Sequence, residues 1–351
     1  MQLERIARKV EAGERIDDEE FLLLEREGDF YQLGILADTI RRRKHPENLV
    51  TYVIDRNINY TDICISACKF CAFFKAPEDG RGYLLSFPEL KAKIEETKSL
   101  GGTQILLQGG LHPGQSLEYY EEMVRFMKNT GIHVHGFSPP EICHFANLSG
   151  LPIREVLRRL IVAGLDSIPG GGAEILSDRV RRLIAPRKCS ADEWLAVMEE
   201  AHNQGLRTSA TMMFGHIETM EERLEHLRRL RDLQDRTRGF TAFIPWPFQP
   251  GNTVLAETEK TTAVQYLRML ALSRIYLDNF DNIQASWVTQ GAKVAQLSLF
   301  FGANDFGSTM IEENVVAAAG VSFRLSEEEI RKLVIAAGFS PAQRLMDYSL
   351  V

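Results

Sequence analysis

Eight short extended runs recur along this chain, and stretches of helical period separate them. The runs are residues 51–58, 103–108, 132–137, 165–168, 206–214, 240–246, 282–288 and 297–301. Such alternation favours parallel strands, because each helix is the crossover that returns the chain to the same end of the sheet. Eight units predict an α/β fold, a (β/α)8 TIM-type barrel, with N-terminal helices and a C-terminal helix beside it. A doubly wound open sheet is the alternative that the same alternation allows. Helix starts are legible as well. Ser86 with Glu89, Ser190 with Glu193, Thr219 with Glu222 and Ser326 with Glu329 have capping-box spacing. Asp17 and Asp18 ahead of EEFLLLERE read as a cap and first turn. No Pro/Ser-rich linker divides the 351 residues. The expected organisation is a helical extension over 1–50, the barrel over 51–325, and a C-terminal helix and tail over 326–351, packed on the barrel. That last helix should end near Gly338.

Barrel chemistry sits at the C-terminal ends of the strands. Here the polar and glycine-rich strings follow the expected strands: CISACKFC, QGG, FSPPE, IPGGGAE, MFGHIE, PWPFQPGN, TQG and GANDFGS, in order. A barrel would gather all eight at one mouth.

Composition narrows the function classes. The net charge is −7, which disfavours non-specific nucleic-acid binding. No apolar run approaches the ~18 residues of a membrane helix, so no membrane partner is expected. The charge-alternating N-terminus has no secretory h-region, and a cytoplasmic location is expected. The five cysteines are an odd number, which argues against a secreted disulfide framework. Cys64, Cys68 and Cys71 fall within eight residues, whereas Cys143 and Cys189 are scattered and read as plain thiols.

Cys-x3-Cys-x2-Cys on one loop can hold three irons of a cubane cluster and leave the fourth open to a ligand. Structural zinc normally takes four ligands, usually from paired Cys-x2-Cys units, and no second pair exists here. His112, His133, His135 or His144 would have to complete such a site. A scaffold stabilised by zinc and a cluster-carrying electron-transfer protein are the rival classes. The latter needs a fourth cysteine.

The cysteine spacing, with Phe70 before the last cysteine and its place after the first strand, resembles the radical S-adenosylmethionine (SAM) enzymes. The strings RNINYT, GGTQILLQGG, FSPPEI, DSIPGGGAEIL, ATMMFGH, FIPWPFQP, ASWVTQG and GANDFGSTMIEENV extend that resemblance over the whole chain. They look like the futalosine-pathway radical enzymes of menaquinone synthesis, and most like the cyclic dehypoxanthine futalosine synthases. Asp62 departs from the pattern, where Asn is expected. The resemblance implies one 4Fe-4S cluster on Cys64, Cys68 and Cys71, with the fourth iron open to SAM. It implies dehypoxanthine futalosine as the small-molecule substrate, and reduced flavodoxin or ferredoxin as electron donor. Aminofutalosine synthases and deazaflavin-cofactor synthases share parts of the pattern and remain the alternatives.

By the same resemblance Gln108, Gly109 and Gly110 hold the methionine amino group, with Phe70 beside the cluster. Ser167 and Glu174 flank Pro169-Gly170-Gly171-Gly172, and a carboxylate there suits the two hydroxyls of a ribose. Arg56, just before the cysteine loop, is a candidate for a substrate carboxylate, with a buried structural pair as the other reading. His216, after strand five, is a candidate for ribose or substrate hydroxyls, or a satisfied structural histidine. Asp305, with Asn304, Ser308 and Thr309, follows the expected strand eight and completes the catalytic candidates. Ser286, Thr289 and Gln290 follow strand seven and are candidate donors. Met212, Met213, Phe214 and Trp246 read as barrel lining. The basic runs 41–44 and 179–187 read as solvated helix faces.

Overall fold

The computed structural model describes residues 1–351. Its strands are β1 (Leu49–Val53), β2 (Asp55–Asn59), β3 (Gln104–Gln108), β4 (His133–Gly136), β5 (Ser167–Ile168), β6 (Arg207–Phe214), β7 (Phe240–Pro247), β8 (Asn282–Ile283), β9 (Asp305–Ser308) and β10 (Ser340–Gln343). β2 through β8 form one parallel sheet in chain order. Only Ile54 separates β1 from β2, so the two are halves of one bent stave. β9 pairs in parallel with β1. A parallel bridge from Gln284 to Asp305, and the Ala285 N–H donating to the Asp305 carbonyl at 2.9 Å, tie β9 back to the β8 side. The sheet therefore closes into a barrel of eight staves, as the alternation of elements predicts.

Side-chain period two sorts the walls. On β3, Ile105 and Leu107 are fully buried in the hydrophobic core, while Gln104, Leu106 and Gln108 line the interior cavity. Large side chains such as Trp194, Tyr120 and Phe145 fill the main core. The four expected capping boxes form, at the starts of the helices Phe87–Ser99, Ala191–Asn203, Met220–Thr237 and Glu327–Ala336. Asp17 makes a fifth with Glu20. No helix is long and apolar enough to cross a membrane.

The last two staves differ from expectation. The apolar run 297–301 is the end of the helix Trp287–Ser298 and the turn after it. Its hydrophobicity serves helix packing: Phe301 lies 4.7 Å from the Phe30 ring and against Gly34, where a Cβ would come within 2.9 Å of it. The eighth stave is instead the DFGS segment. Gly307 there has φ 88°, at a register irregularity in the β1–β9 pairing. Low strand propensity hides such a stave from a sequence reading. The seventh stave stops at Ile283, because Ser286 already begins a helix.

After the helix Glu327–Ala336, Gly338 (φ 85°) turns the chain into β10, which pairs in parallel with β1. This strand carries Arg344 under the barrel, where its guanidinium meets the Asp305 carboxylate. The basic runs are not solvated throughout. Arg41 is fully buried with its guanidinium 4.6 Å from the Phe339 ring, and Arg181 is 4 % exposed.

Candidate active site

The loop carrying Cys64, Cys68 and Cys71 leaves β2 and is fastened by backbone bonds to four other segments. Cys64 N–H donates to the Lys75 carbonyl (2.9 Å), Ile65 N–H to Leu111 (3.1 Å) and Lys69 N–H to Ile184 (2.8 Å). The Lys69 carbonyl accepts from Val254 N–H at 3.0 Å. Ser66 lies between two of the thiols, its N–H 3.4 Å from Cys64 Sγ and its hydroxyl 3.1 Å from Cys68 Sγ. Burial pushes the Cys68 thiol up to about 11 and the Cys71 thiol above its ordinary value, while the Lys188 ammonium opposes both shifts. Each of the two also feels another thiol of the loop. Three cysteine sulfurs on one loop are a donor set that fits three irons of a multi-iron cluster. Iron would supply the positive charge that converts these thiols to thiolates.

The end of β3 passes beneath this loop, and only glycine fits there. A Cβ on Gly109 would come within 2.5 Å of the Tyr60 ring, and one on Gly110 within 2.2 Å of the Ile63 carbonyl oxygen. The Gly109 N–H donates to Glu141 Oε1 at 3.0 Å. Glu141 also accepts from the Tyr60 hydroxyl (2.8 Å) and from the N–H and hydroxyl of Ser138 (both 2.7 Å). Burial nevertheless pushes its carboxyl up to about 7, because four donors only partly offset desolvation. Gln108 reaches the glycine loop after β5, where a Cβ on Gly171 would lie 2.3 Å from its Nε2.

Glu174 stands at the far side of that loop with φ 40° and 6 % exposure. Its Oε1 accepts from Lys188 Nζ at 2.9 Å. Its Oε2 lies 3.7 Å from Arg181 Nη1 and takes no hydrogen bond. A buried carboxylate oxygen without a partner is costly and is a mark of a ligand position. Lys188 also sits 5.1 Å from the centre of the Phe70 ring, so one ammonium links Phe70, Glu174 and the field at Cys68. Gln108, Gly170, Gly171, Gly172, Glu174 and Trp246 line one cavity of about 290 Å³ that runs down the barrel axis.

Neither Lys188 nor Glu141 is singled out by the sequence. The signal for Glu141 is its capping-box spacing from Ser138 inside FSPPEI. Lys188 has no signal beyond its place at the end of a basic run.

Four sequence candidates fall outside this gathering. Arg56 points away from the barrel axis, because Asp55 and Asn57 on either side take the inward positions. Its guanidinium pairs with Glu96 (2.6 Å) and the Lys93 carbonyl (3.1 Å) on the helix Phe87–Ser99. The His216 side chain is fully buried in its own turn, with Nδ1 3.0 Å from Glu218 Oε2 and Nε2 3.1 Å from the Met213 carbonyl. Asp305 opens β9 rather than following it, so it lies at the base of the barrel, bound by Arg344 and by the Thr51 hydroxyl at 2.5 Å. Ser167 is fully buried, 2.7 Å from His133 Nε2 and 2.7 Å from His135 Nδ1, away from the loops of the mouth.

Comparison with known proteins finds relatives over the whole chain. A sequence model described as the Radical SAM superfamily fits residues 58–230, and one described as the CofH/MqnC C-terminal region fits residues 237–351. The chain is 46 % identical to a cyclic dehypoxanthine futalosine synthase of Streptomyces coelicolor, over 99 % of this chain and 88 % of the relative. It is 42 % identical to an aminodeoxyfutalosine synthase of Thermus thermophilus, over 97 % of this chain and 93 % of the relative. Among solved structures, a methylornithine synthase superposes with a TM-score of 0.75 at 19 % identity, over 96 % of this chain and 97 % of that one, a likeness of fold.

Proposed function

The chain belongs to the radical SAM superfamily, in the branch that carries the CofH/MqnC C-terminal region, and we propose that it cyclises dehypoxanthine futalosine. The observation that carries this reading is the full-length identity of 46 % to a synthase of that name. Radical SAM enzymes use a 4Fe-4S cluster and SAM, which together supply a 5′-deoxyadenosyl radical. In this chain Cys64, Cys68 and Cys71 would hold three of the irons. Gln108, Gly109 and Gly110 would meet the methionine part of SAM, and the unpartnered Oε2 of Glu174 its ribose hydroxyls. A reduced flavodoxin or ferredoxin would deliver the electron.

In the cyclisation a hydrogen atom leaves the ribose 4′ carbon of the substrate. The resulting carbon radical attacks the aromatic ring, and loss of one electron and one proton restores aromaticity. The protein's share is to hold the reacting carbons in contact and to keep other hydrogen donors away. A cavity enclosed by barrel staves meets both needs.

The test is one anaerobic incubation with substrate deuterated at the 4′ carbon, followed by mass spectrometry. Labelled 5′-deoxyadenosine and a cyclised product are expected. A product that contains the adenosyl group would replace this reading with the sister reaction, to which 42 % identity also points.

A further inference from the structure

The proposed cyclisation releases one proton inside the barrel cavity in every turnover, and a base lining that cavity would accept it. Three carboxylates line it, and each is engaged. Glu174 is paired with Lys188 through Oε1, and its Oε2 is assigned above to the ribose of SAM. Asp55 accepts from the Ser308 hydroxyl and from Gln104 Nε2 at 2.7 Å. Glu313 accepts from the N–H groups of Val315, Val316 and Ala317 at 2.8–3.0 Å. The one imidazole in the cavity wall belongs to His135. Its Nδ1 is 2.7 Å from the Ser167 hydroxyl, and its Nε2 bonds to no protein atom.

The chain of contacts continues outward. The same Ser167 hydroxyl is 2.7 Å from His133 Nε2. His133, two residues before His135 and so on the same face of the strand, is partly exposed at the start of β4, toward the base of the barrel. A serine hydroxyl has one proton to give and lone pairs to accept with, so it joins two neutral imidazoles in series. We propose that His135, Ser167 and His133 form the path by which the ring proton of the cyclised substrate leaves the cavity for solvent. This rests on the reading of the reaction given above.

The balance is simple. The ring carbon gives its proton to His135 Nε2, and its surplus electron goes separately to a one-electron acceptor such as an oxidised iron–sulfur centre. His135 Nδ1–H donates to the Ser167 oxygen, whose own proton passes to His133 Nε2. His133 Nδ1–H then releases a proton to water. Both imidazoles end in the other tautomer, and after product release the reverse shift restores them, with water donating to His133 Nδ1 and water entering the cavity accepting from His135 Nε2. Burial depresses His135 to about 3, with the neighbouring His133 and Arg344 adding to the effect, so it stays neutral. An imidazole that cannot keep a charge must pass the proton on. His133, facing Asp166, Lys128 and Asp347, is depressed as well, mainly by burial. His135 would be a catalytic residue, and Ser167 and His133 positioning residues.

The experiment measures cyclised product per 5′-deoxyadenosine in anaerobic incubations of wild type, His135→Gln, His135→Phe and Ser167→Ala. His135→Gln keeps a polar group of similar reach without basicity. Its product yield per deoxyadenosine should fall about a hundredfold while the substrate KM holds. Ser167→Ala leaves His135 in place and cuts the path, so a loss of roughly tenfold is expected, with an organic radical accumulating in the EPR spectrum. Iron content and thermal melting equal to wild type show that these two variants are folded, whatever His135→Phe does. An unchanged product ratio in both His135→Gln and Ser167→Ala would overturn the proposal. A wild-type enzyme that forms no deoxyadenosine with this substrate would instead overturn the reading of the reaction, and the proton path with it.

Discussion

The mouth and the base of this barrel are both polar and both buried, yet they are finished differently. At the base the strongest charges are closed on one another. Arg344 meets Asp305, Thr51 donates to the same carboxylate, and Gly307 N–H caps it at 2.8 Å. At the mouth, three cysteine thiols share one loop, and Glu174 Oε2 is left without a donor. Completed bonding indicates a structural role, while bonding capacity left open beside glycine-lined space indicates a ligand. That contrast sets Asp305, held by Arg344, Thr51 and Gly307, apart from Glu174, which lines the cavity with Oε2 open.

The sharpest way to break the comparison is at the thiols. Cys64→Ala, Cys68→Ala and Cys71→Ala should each abolish SAM cleavage and most of the visible cluster absorption after anaerobic reconstitution. Cys143→Ala and Cys189→Ala should keep both. Loss of the cluster in either of the latter, with Cys68→Ala retaining it, would reverse the assignment.

At the base, Arg344→Met strands a buried Asp305 carboxylate. It should cost about 3–5 kcal/mol of folding stability, read by denaturant unfolding. The folded fraction should bind SAM as wild type does. A specific loss of SAM affinity without loss of stability would move Asp305 and Arg344 back into the active site.

Glu141 links stability to pH. Its folded pKa of about 7 exceeds the ordinary 4.5, so folding favours the protonated acid. That contribution is complete below about 4.5 and is lost as the pH rises through about 7. The change should be about 3 kcal/mol in the unfolding free energy across that window. Glu141→Gln should flatten this part of the profile.

A smaller effect is expected at Glu174. Glu174→Gln keeps the shape and removes the charge, and SAM binding should weaken by about 1.5–3 kcal/mol with iron content unchanged. Equal SAM affinity would remove Glu174 from the site. The smallest effect belongs to His216→Gln, which should leave kcat within about twofold, because the imidazole bonds within its own turn and packs edge-on against Phe248.

Much of the fold was legible because strand–helix alternation and capping boxes are local signals. The eighth stave was not. DFGS has poor strand propensity and forms a stave only because β1 and the β8 side close on it. The error carried through to Asp305, since a residue thought to follow a strand actually begins one. For Arg56 the sequence offers a substrate carboxylate or a buried structural pair without deciding between them, because period two shows that neighbours alternate, but not which set faces inward. Ser167 precedes the glycine loop but faces two histidines from the adjacent stave, a pairing that no sequence spacing encodes.

The sequence by itself determined the chemistry that depends on local spacing. Cys-x3-Cys-x2-Cys, the glycine runs and the helix caps act within a few residues, so their meaning survives without coordinates. Only the tertiary structure decided which charges are spent on one another and which are left for a ligand. Lys188 reaches Glu174 from a basic run, Arg344 reaches Asp305 from the C-terminal tail, and His135 reaches His133 through Ser167. Burial and pairing depend on contacts between residues far apart in the chain, and they distinguish a carboxylate that holds the fold together from one that waits for a ligand.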